Sequence, residues 1–173
     1  MEIRELDRAT WAGHVYRETY TTDRFYDVQV QGRGFSLELR EADPPLERVM
    51  SDRLFADWLE APVAYGAFDG ETLMGAVEGS PEAWHGVFRV SNLFVCAPYR
   101  RRGIGRALLA HIVDAARRQG VYRGVMLETQ TCNVPAITLY EQLGFTLCRI
   151  DLCEYTNDDV RNCEARIDLF LAF

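Results

Sequence analysis

Apolar positions are spaced unevenly along this chain, weakly patterned in its first half and strongly patterned in its second. Glu2 to Leu6 alternates over a short stretch and predicts a strand. Ala9 to Tyr20 carries Trp11, Val15 and Tyr16 and predicts a helix. Thr21 to Pro45 gives little signal, apart from Phe35-Ser36-Leu37-Glu38-Leu39, which alternates like a strand. Pro44-Pro45 reads as the opening of a further helix running toward Leu59. Val63 to Phe68 and Leu73 to Val77 flank Asp69-Gly70-Glu71, the composition of a β-hairpin turn.

From Gly86 onward the periods sharpen. Val87 to Cys96 predicts a strand that ends in the apolar run Leu93-Phe94-Val95-Cys96. Gly103 to Gln119 has helical spacing, with Ile104, Leu108, Ile112 and Ala115 on one face and Gly120 just past the end. Gly124 to Leu127 reads as a buried strand leading to Glu128, and Pro135 to Leu143 as a helix with proline in its first turn and Gly144 beyond its end. Two strands follow, near Phe145 to Tyr155 and Ala165 to Leu171. Antiparallel strands first, one β-α-β unit, then a helix and a final hairpin predict an α/β fold of mixed type. Its central sheet is mostly antiparallel, with helices on both faces.

Size and composition narrow the class. A chain of 173 residues fits one domain, and 48% apolar with 26% charged residues is ordinary for a globular protein in water. The charged start, Met1 to Asp7, leads into no long apolar run, so the expected compartment is the cytoplasm. Cys96, Cys132, Cys148, Cys153 and Cys163 are scattered and odd in number. With His14, His85 and His111 they form no metal-ligand spacing, so free thiols and no metal are expected. Net charge is -7, and the surplus lies in residues 1 to 80, where sixteen acids face eight arginines. That imbalance argues against nucleic acid or an anionic membrane as partner and suits a cationic small molecule.

The chemistry concentrates in Arg100-Arg101-Arg102-Gly103-Ile104-Gly105-Arg106, between a predicted strand and a predicted helix. Two glycines let the backbone turn sharply and approach a ligand, and the helix start offers unpaired N–H groups and positive potential. Phosphate is the natural ligand. A Walker loop is excluded because the chain contains no lysine. The dinucleotide fingerprint fits poorly, since Leu108 stands where its third small residue belongs.

Taken with Leu93 to Val95, with Asn133-x-Pro135-Ala136 and with Leu139-Tyr140-Glu141-x-Leu143-Gly144-Phe145, this loop resembles the GNAT superfamily of acetyltransferases over residues 88 to 147. Within it, Leu127-Glu128-Thr129-Gln130 and Asn133-Val134-Pro135-Ala136 look most like streptothricin acetyltransferases. The resemblance implies acetyl-coenzyme A as co-substrate, its pyrophosphate held around Arg101 to Arg106. It also implies a pantetheine arm paired with the backbone of Leu93, Phe94 and Val95, and a hydrogen bond from Asn133 to that arm. Tyr140 would protonate the departing thiolate. A thiol of pKa near 8.5 leaves as an anion and a phenol near 10 can supply its proton, so the role makes chemical sense.

An acceptor amine arrives protonated and attacks only when neutral. Glu128, at the end of its strand, is the first candidate base or water-orienting group, with Glu78 second; Glu78, Asn92 and Glu128 are the expected acceptor contacts. Streptothricin acetyltransferases carry acidic residues where Ser91-Asn92 stand here, which separates this chain from them at one point. The expectation is an enzyme, monomeric or homodimeric, that acetylates a primary amine of a small cationic molecule. A peptide N-terminal acetyltransferase is the enzyme alternative, and a non-catalytic acyl-coenzyme A sensor the alternative of another class.

Overall fold

The computed structural model describes all 173 residues, Met1–Phe173, and two compact units can be distinguished within them. The first comprises Met1–Thr19, Val49–Leu127 and Leu171–Phe173; the second, Tyr20–Arg48 and Glu128–Phe170.

In the first unit β1 (Glu2–Leu6), β4 (Val63–Asp69), β5 (Thr72–Glu82) and β6 (Val87–Val95) lie side by side and antiparallel. The next neighbour, β7 (Gly124–Gln130), runs parallel to β6 through Phe88↔Val125 to Val90↔Leu127. The parallel step is bridged by α2 (Ile104–Gln119), which buries Ile104, Leu108, Leu109, Ile112, Val113 and Ala116. These recur at three- and four-residue steps, as a one-sided helix requires. Arg117 and Arg118 fill its last turn, where positive charge offsets the helix dipole. A second apolar cluster joins Leu6, Tyr16, Leu54, Phe55, Ala64, Phe68, Ala76 and Phe94.

In the second unit β9 (Arg166–Ala172) pairs antiparallel with β8 (Thr146–Asp151), and β7 extends into this unit with β9 as its neighbour. Helix α3 (Val134–Gln142) starts at Asn133, whose side-chain oxygen accepts from the Ala136 N–H at 3.3 Å. That N-cap and the proline in the first turn explain where the helix begins. The mixed α/β class, with a large and mostly antiparallel sheet, agrees with the sequence pattern.

Two expected helices are not there. Only Arg8–Trp11 forms α1; Gly13 follows at φ 79°, and from Val15 the chain is extended as β2 (Val15–Gln31). β3 (Gly34–Arg53) runs straight through Pro44-Pro45, where a helix was expected, and pairs with β2 in a two-stranded ribbon. No residue of β3 is fully buried, so its pattern reflects solvent on both faces rather than a core, and it carries no clear period. A ribbon also tolerates proline, because a strand with one neighbour leaves half its N–H groups unused.

No helix is long and apolar enough to cross a membrane. No group of three or more His, Cys, Asp or Glu side chains is arranged to hold a metal ion.

Candidate functional site

The expected site residues divide between the units. In the first unit, pairing of β6 with β7 stops at Val90, so Leu93, Phe94 and Val95 have a strand partner only on the β5 side, at Val77, Ala76 and Gly75. On the other side Leu93 and Phe94 have no strand neighbour, while the Val95 carbonyl accepts from Arg100 Nε. A bulge lies just before this segment: Asn92 pairs with Glu78 and Val90 with Gly79, which leaves Ser91 without a partner. Gly79 sits hard against β6, since a Cβ there would lie 2.6 Å from the Arg89 carbonyl oxygen. Only glycine permits that approach.

The bulge aims Glu78 and Asn92 at each other. The Glu78 carboxylate accepts from the Phe55 N–H at 2.5 Å and from Asn92 Nδ2 at 2.7 Å, while Asn92 Oδ1 accepts from the Tyr16 hydroxyl at 2.7 Å. Phe55 holds φ 56°, an uncommon conformation for a bulky side chain, and its N–H is the one turned to the carboxylate. Burial pushes the Glu78 carboxyl above its ordinary range, partly countered by these two donors. Glu78 has 0% exposure and Asn92 4%. Both were expected to contact the acceptor, but their polar atoms are spent on Phe55, Tyr16 and each other.

After β6 the chain makes a short 3-10 turn at Ala97–Tyr99 and enters the glycine loop. Arg101 and Gly103 take the left-handed conformation at φ 60° and 80°, so the path bends twice before α2. The first bond of the helix ladder runs from the Ala107 N–H to the Gly103 carbonyl, and the N–H groups before it fall outside the ladder. Arg101, Arg102, Gly103 and Arg106 are exposed, Ile104 is buried and Gly105 half-buried. The Arg102 guanidinium lies 5.6 Å from the centre of the Tyr99 ring. Arg100 departs from the sequence expectation. Its Nε donates to the Val95 carbonyl at 2.9 Å, and its two terminal nitrogens donate to the Thr19 carbonyl and to Glu18, each at 2.6 Å. Its guanidinium therefore faces the protein rather than the loop's outer side.

In the second unit Tyr140 lies on the inner face of α3, with 7% exposure and its ring centre 6.2 Å from that of Phe145. Its hydroxyl finds no hydrogen-bond partner in the protein. Burial alone pushes its pKa up to about 12, which keeps the phenol protonated across the physiological range. Asn133 commits its side-chain oxygen to capping α3, so its amide nitrogen is what remains for a ligand. Glu128 is half-buried and ion-paired with Arg166 at 2.6 Å. Arg166 also meets Glu154 at 2.7 Å and the buried Asp168 at 3.0 Å. Burial pulls the Arg166 pKa down, but the three carboxylates outweigh it and the net shift is upward. Tyr16 and Glu18 carry no local sequence signal, because their partners lie 76 and 82 positions away.

The Acetyltransferase (GNAT) family pattern matches residues 31–145. The chain belongs to the GNAT family of acetyltransferases. This acetyltransferase is 35% identical over 147 residues to the streptothricin acetyltransferase of Streptomyces lavendulae, a match covering 79% of this chain and 76% of that protein. Among solved structures it resembles a nourseothricin acetyltransferase, with a TM-score of 0.77 and 28% identity over 99% of this chain and 97% of that one. It shares the fold of a Bacillus anthracis str. Ames protein solved in complex with acetyl coenzyme A. There the TM-score is 0.78 at 21% identity, with 99% and 97% of the two chains covered.

Proposed function

We propose that this acetyltransferase transfers acetyl from acetyl-coenzyme A to a primary amine of a small polycationic molecule of the streptothricin class, directly within a ternary complex. The observation that carries the reading is the similarity to the Streptomyces lavendulae enzyme, which spans most of both chains. The charge balance supports it: the sixteen acids among residues 1 to 80 suit a cationic acceptor.

Each residue has a task in that reaction. The N–H groups from Arg101 to Arg106 receive the pyrophosphate, where the helix start supplies positive potential and Arg101 and Arg102 add charge. The stretch from Leu93 to Val95 that β7 leaves unpaired receives the pantetheine arm as an added strand, and an N–H there polarises the thioester carbonyl. Asn133 donates its amide N–H to the same arm. Glu128 takes the amine's proton directly or through a water. The neutral amine forms the new C–N bond, the C–S bond breaks, Tyr140 passes its proton to the departing sulfur, and the second proton shed by the acylated nitrogen restores the phenol through solvent. A phenol with a pKa of about 12 arrives with that proton in place.

The test is a thiol-release assay on the purified chain with acetyl-coenzyme A and three acceptors: streptothricin, a simple polyamine and an alanine-starting peptide. Streptothricin should give the highest kcat/KM. Preference for the peptide would move the assignment to peptide N-terminal acetylation, and no turnover despite tight coenzyme A binding would point to a sensor.

A further inference from the structure

We propose that Glu18 is a positioning residue for the phosphate-binding loop, holding Arg100 and the Ala97 N–H so that residues 96 to 103 keep the path the co-substrate needs. The inference rests on the reading of Arg101 to Arg106 as that loop. One oxygen of Glu18, Oε2, accepts both from Arg100 at 2.6 Å and from the Ala97 N–H at 3.2 Å. The carboxylate therefore grips the chain at the first residue of the 3-10 turn and just past its last. Arg100 carries the grip further: its remaining donors hold the Val95 carbonyl, at the end of the strand assigned to the pantetheine arm, and the Thr19 carbonyl on β2. Two segments, β2 and the end of β6, thus meet on one guanidinium immediately before Arg101 turns left-handed at φ 60°. The Glu18 side chain is only 16% exposed and that of Arg100 32%, so the pair is sheltered more than a surface ion pair and worth more.

Electrostatics alone predicts the opposite consequence for Glu18. A carboxylate near a phosphate site repels the ligand, and its removal should tighten binding, most of all at low salt. A positioning role predicts weaker binding, because a loop freed to sample other paths must be ordered again when the ligand arrives. The sign of the effect decides between them.

The experiment is calorimetric titration of coenzyme A into the full chain, wild type beside Glu18→Ala, Glu18→Gln and Arg100→Ala. Glu18→Ala should weaken binding about tenfold, or about 1.4 kcal/mol. Glu18→Gln, which keeps an acceptor and loses the charge, should fall between it and wild type. Glu18→Ala combined with Arg100→Ala should bind no worse than Arg100→Ala alone, since both act through one clamp. The Cys96 thiol gives a readout independent of the ligand. It sits at the start of the turn, and its pKa is raised first by burial and next by the charge of Glu18. Glu18→Ala should therefore lower the pH at which a maleimide labels Cys96, scored on its own peptide by mass spectrometry. Unchanged or tighter coenzyme A binding in both Glu18 variants would overturn the inference. Failure of the wild type to bind coenzyme A would instead overturn the reading of the loop.

Discussion

Tyr16 and Tyr140 are equally buried, at 6% and 7% exposure, yet their hydroxyls are used in opposite ways. Tyr16, in the first unit, lies flat on Phe94 with ring centres 4.1 Å apart, and its hydroxyl donates to Asn92 and so to Glu78. Tyr140, in the second, buries its ring and leaves its hydroxyl without a protein partner. The Tyr140 oxygen is not among the sealed, unpartnered polar atoms of the protein, so solvent can reach it although the ring is buried. The two carboxylates divide in the same way. Glu78 is sealed among neutral donors, whereas Glu128 is half-buried and shares a cation with two other acids. Tyr16 and Glu78 thus have their hydrogen bonds completed inside the protein, whereas the Tyr140 hydroxyl does not.

The largest expected effect is at Tyr140. Tyr140→Phe keeps the ring and should lower kcat by about 10² to 10⁴-fold, the usual worth of general acid catalysis, with coenzyme A affinity and thermal midpoint near wild type. A stopped-flow measurement of the chemical step checks it, and wild-type rates there would erase the contrast with Tyr16.

Next is Glu78→Gln, which should cost about 1 to 3 kcal/mol of stability in denaturant melts. Both carboxylate oxygens accept, whereas glutamine must turn a donor toward either Phe55 or Asn92. The pH dependence sharpens this. Burial raises the Glu78 pKa in the folded state, so its favourable contribution is complete below the ordinary carboxylate range. That contribution is lost as pH rises through the raised value. The stability gap between wild type and Glu78→Gln should be largest at the acid end of that window and shrink toward neutrality; a gap flat across it would contradict the burial argument.

Tyr16→Phe should be smaller, about 1 kcal/mol lost with turnover close to wild type. If it slowed turnover as much as Tyr140→Phe, hydroxyl pairing would not separate structural from catalytic tyrosines. Smallest is the response of the acceptor to salt. Attraction between partly exposed charges is worth about 0.2 to 1 kcal/mol and is screened over about 10 Å at 0.1 M. The KM for a polycationic acceptor should therefore rise a few-fold from low to high ionic strength while kcat moves less.

The contrast between the tyrosines was only half legible in the sequence. Tyr140 stands inside a local motif, with α3 marked at one end by Asn133 and Pro135 and at the other by Gly144. The stretch from Val87 to Phe145 folds as its periods indicate, because each element there buries one face and burial imposes a period. Tyr16 was read as part of a helix, and its partner Asn92 lies seventy-six positions away. No local rule connects them. The β2–β3 ribbon was misread for a related reason: with so little of it buried, no hydrophobic stripe records its extended form. Arg100 shows a different limit. Its motif fixes where the residue stands in the chain, but Glu18 and Thr19, brought alongside by β2, join Val95 in deciding which way the guanidinium points.

The division into two units has a spectroscopic consequence. All three tryptophans, Trp11, Trp58 and Trp84, belong to the first unit, and Trp58 and Trp84 are already exposed in the folded chain. Trp11 packs edge-on against Phe68 at 6.1 Å and is the indole whose surroundings change on unfolding. Red-shift of its emission in denaturant therefore follows the first unit alone, while far-ultraviolet dichroism follows strands and helices of both. Overlaid curves mean one cooperative transition, and a gap between them measures the separate stability of the unit that carries Tyr140.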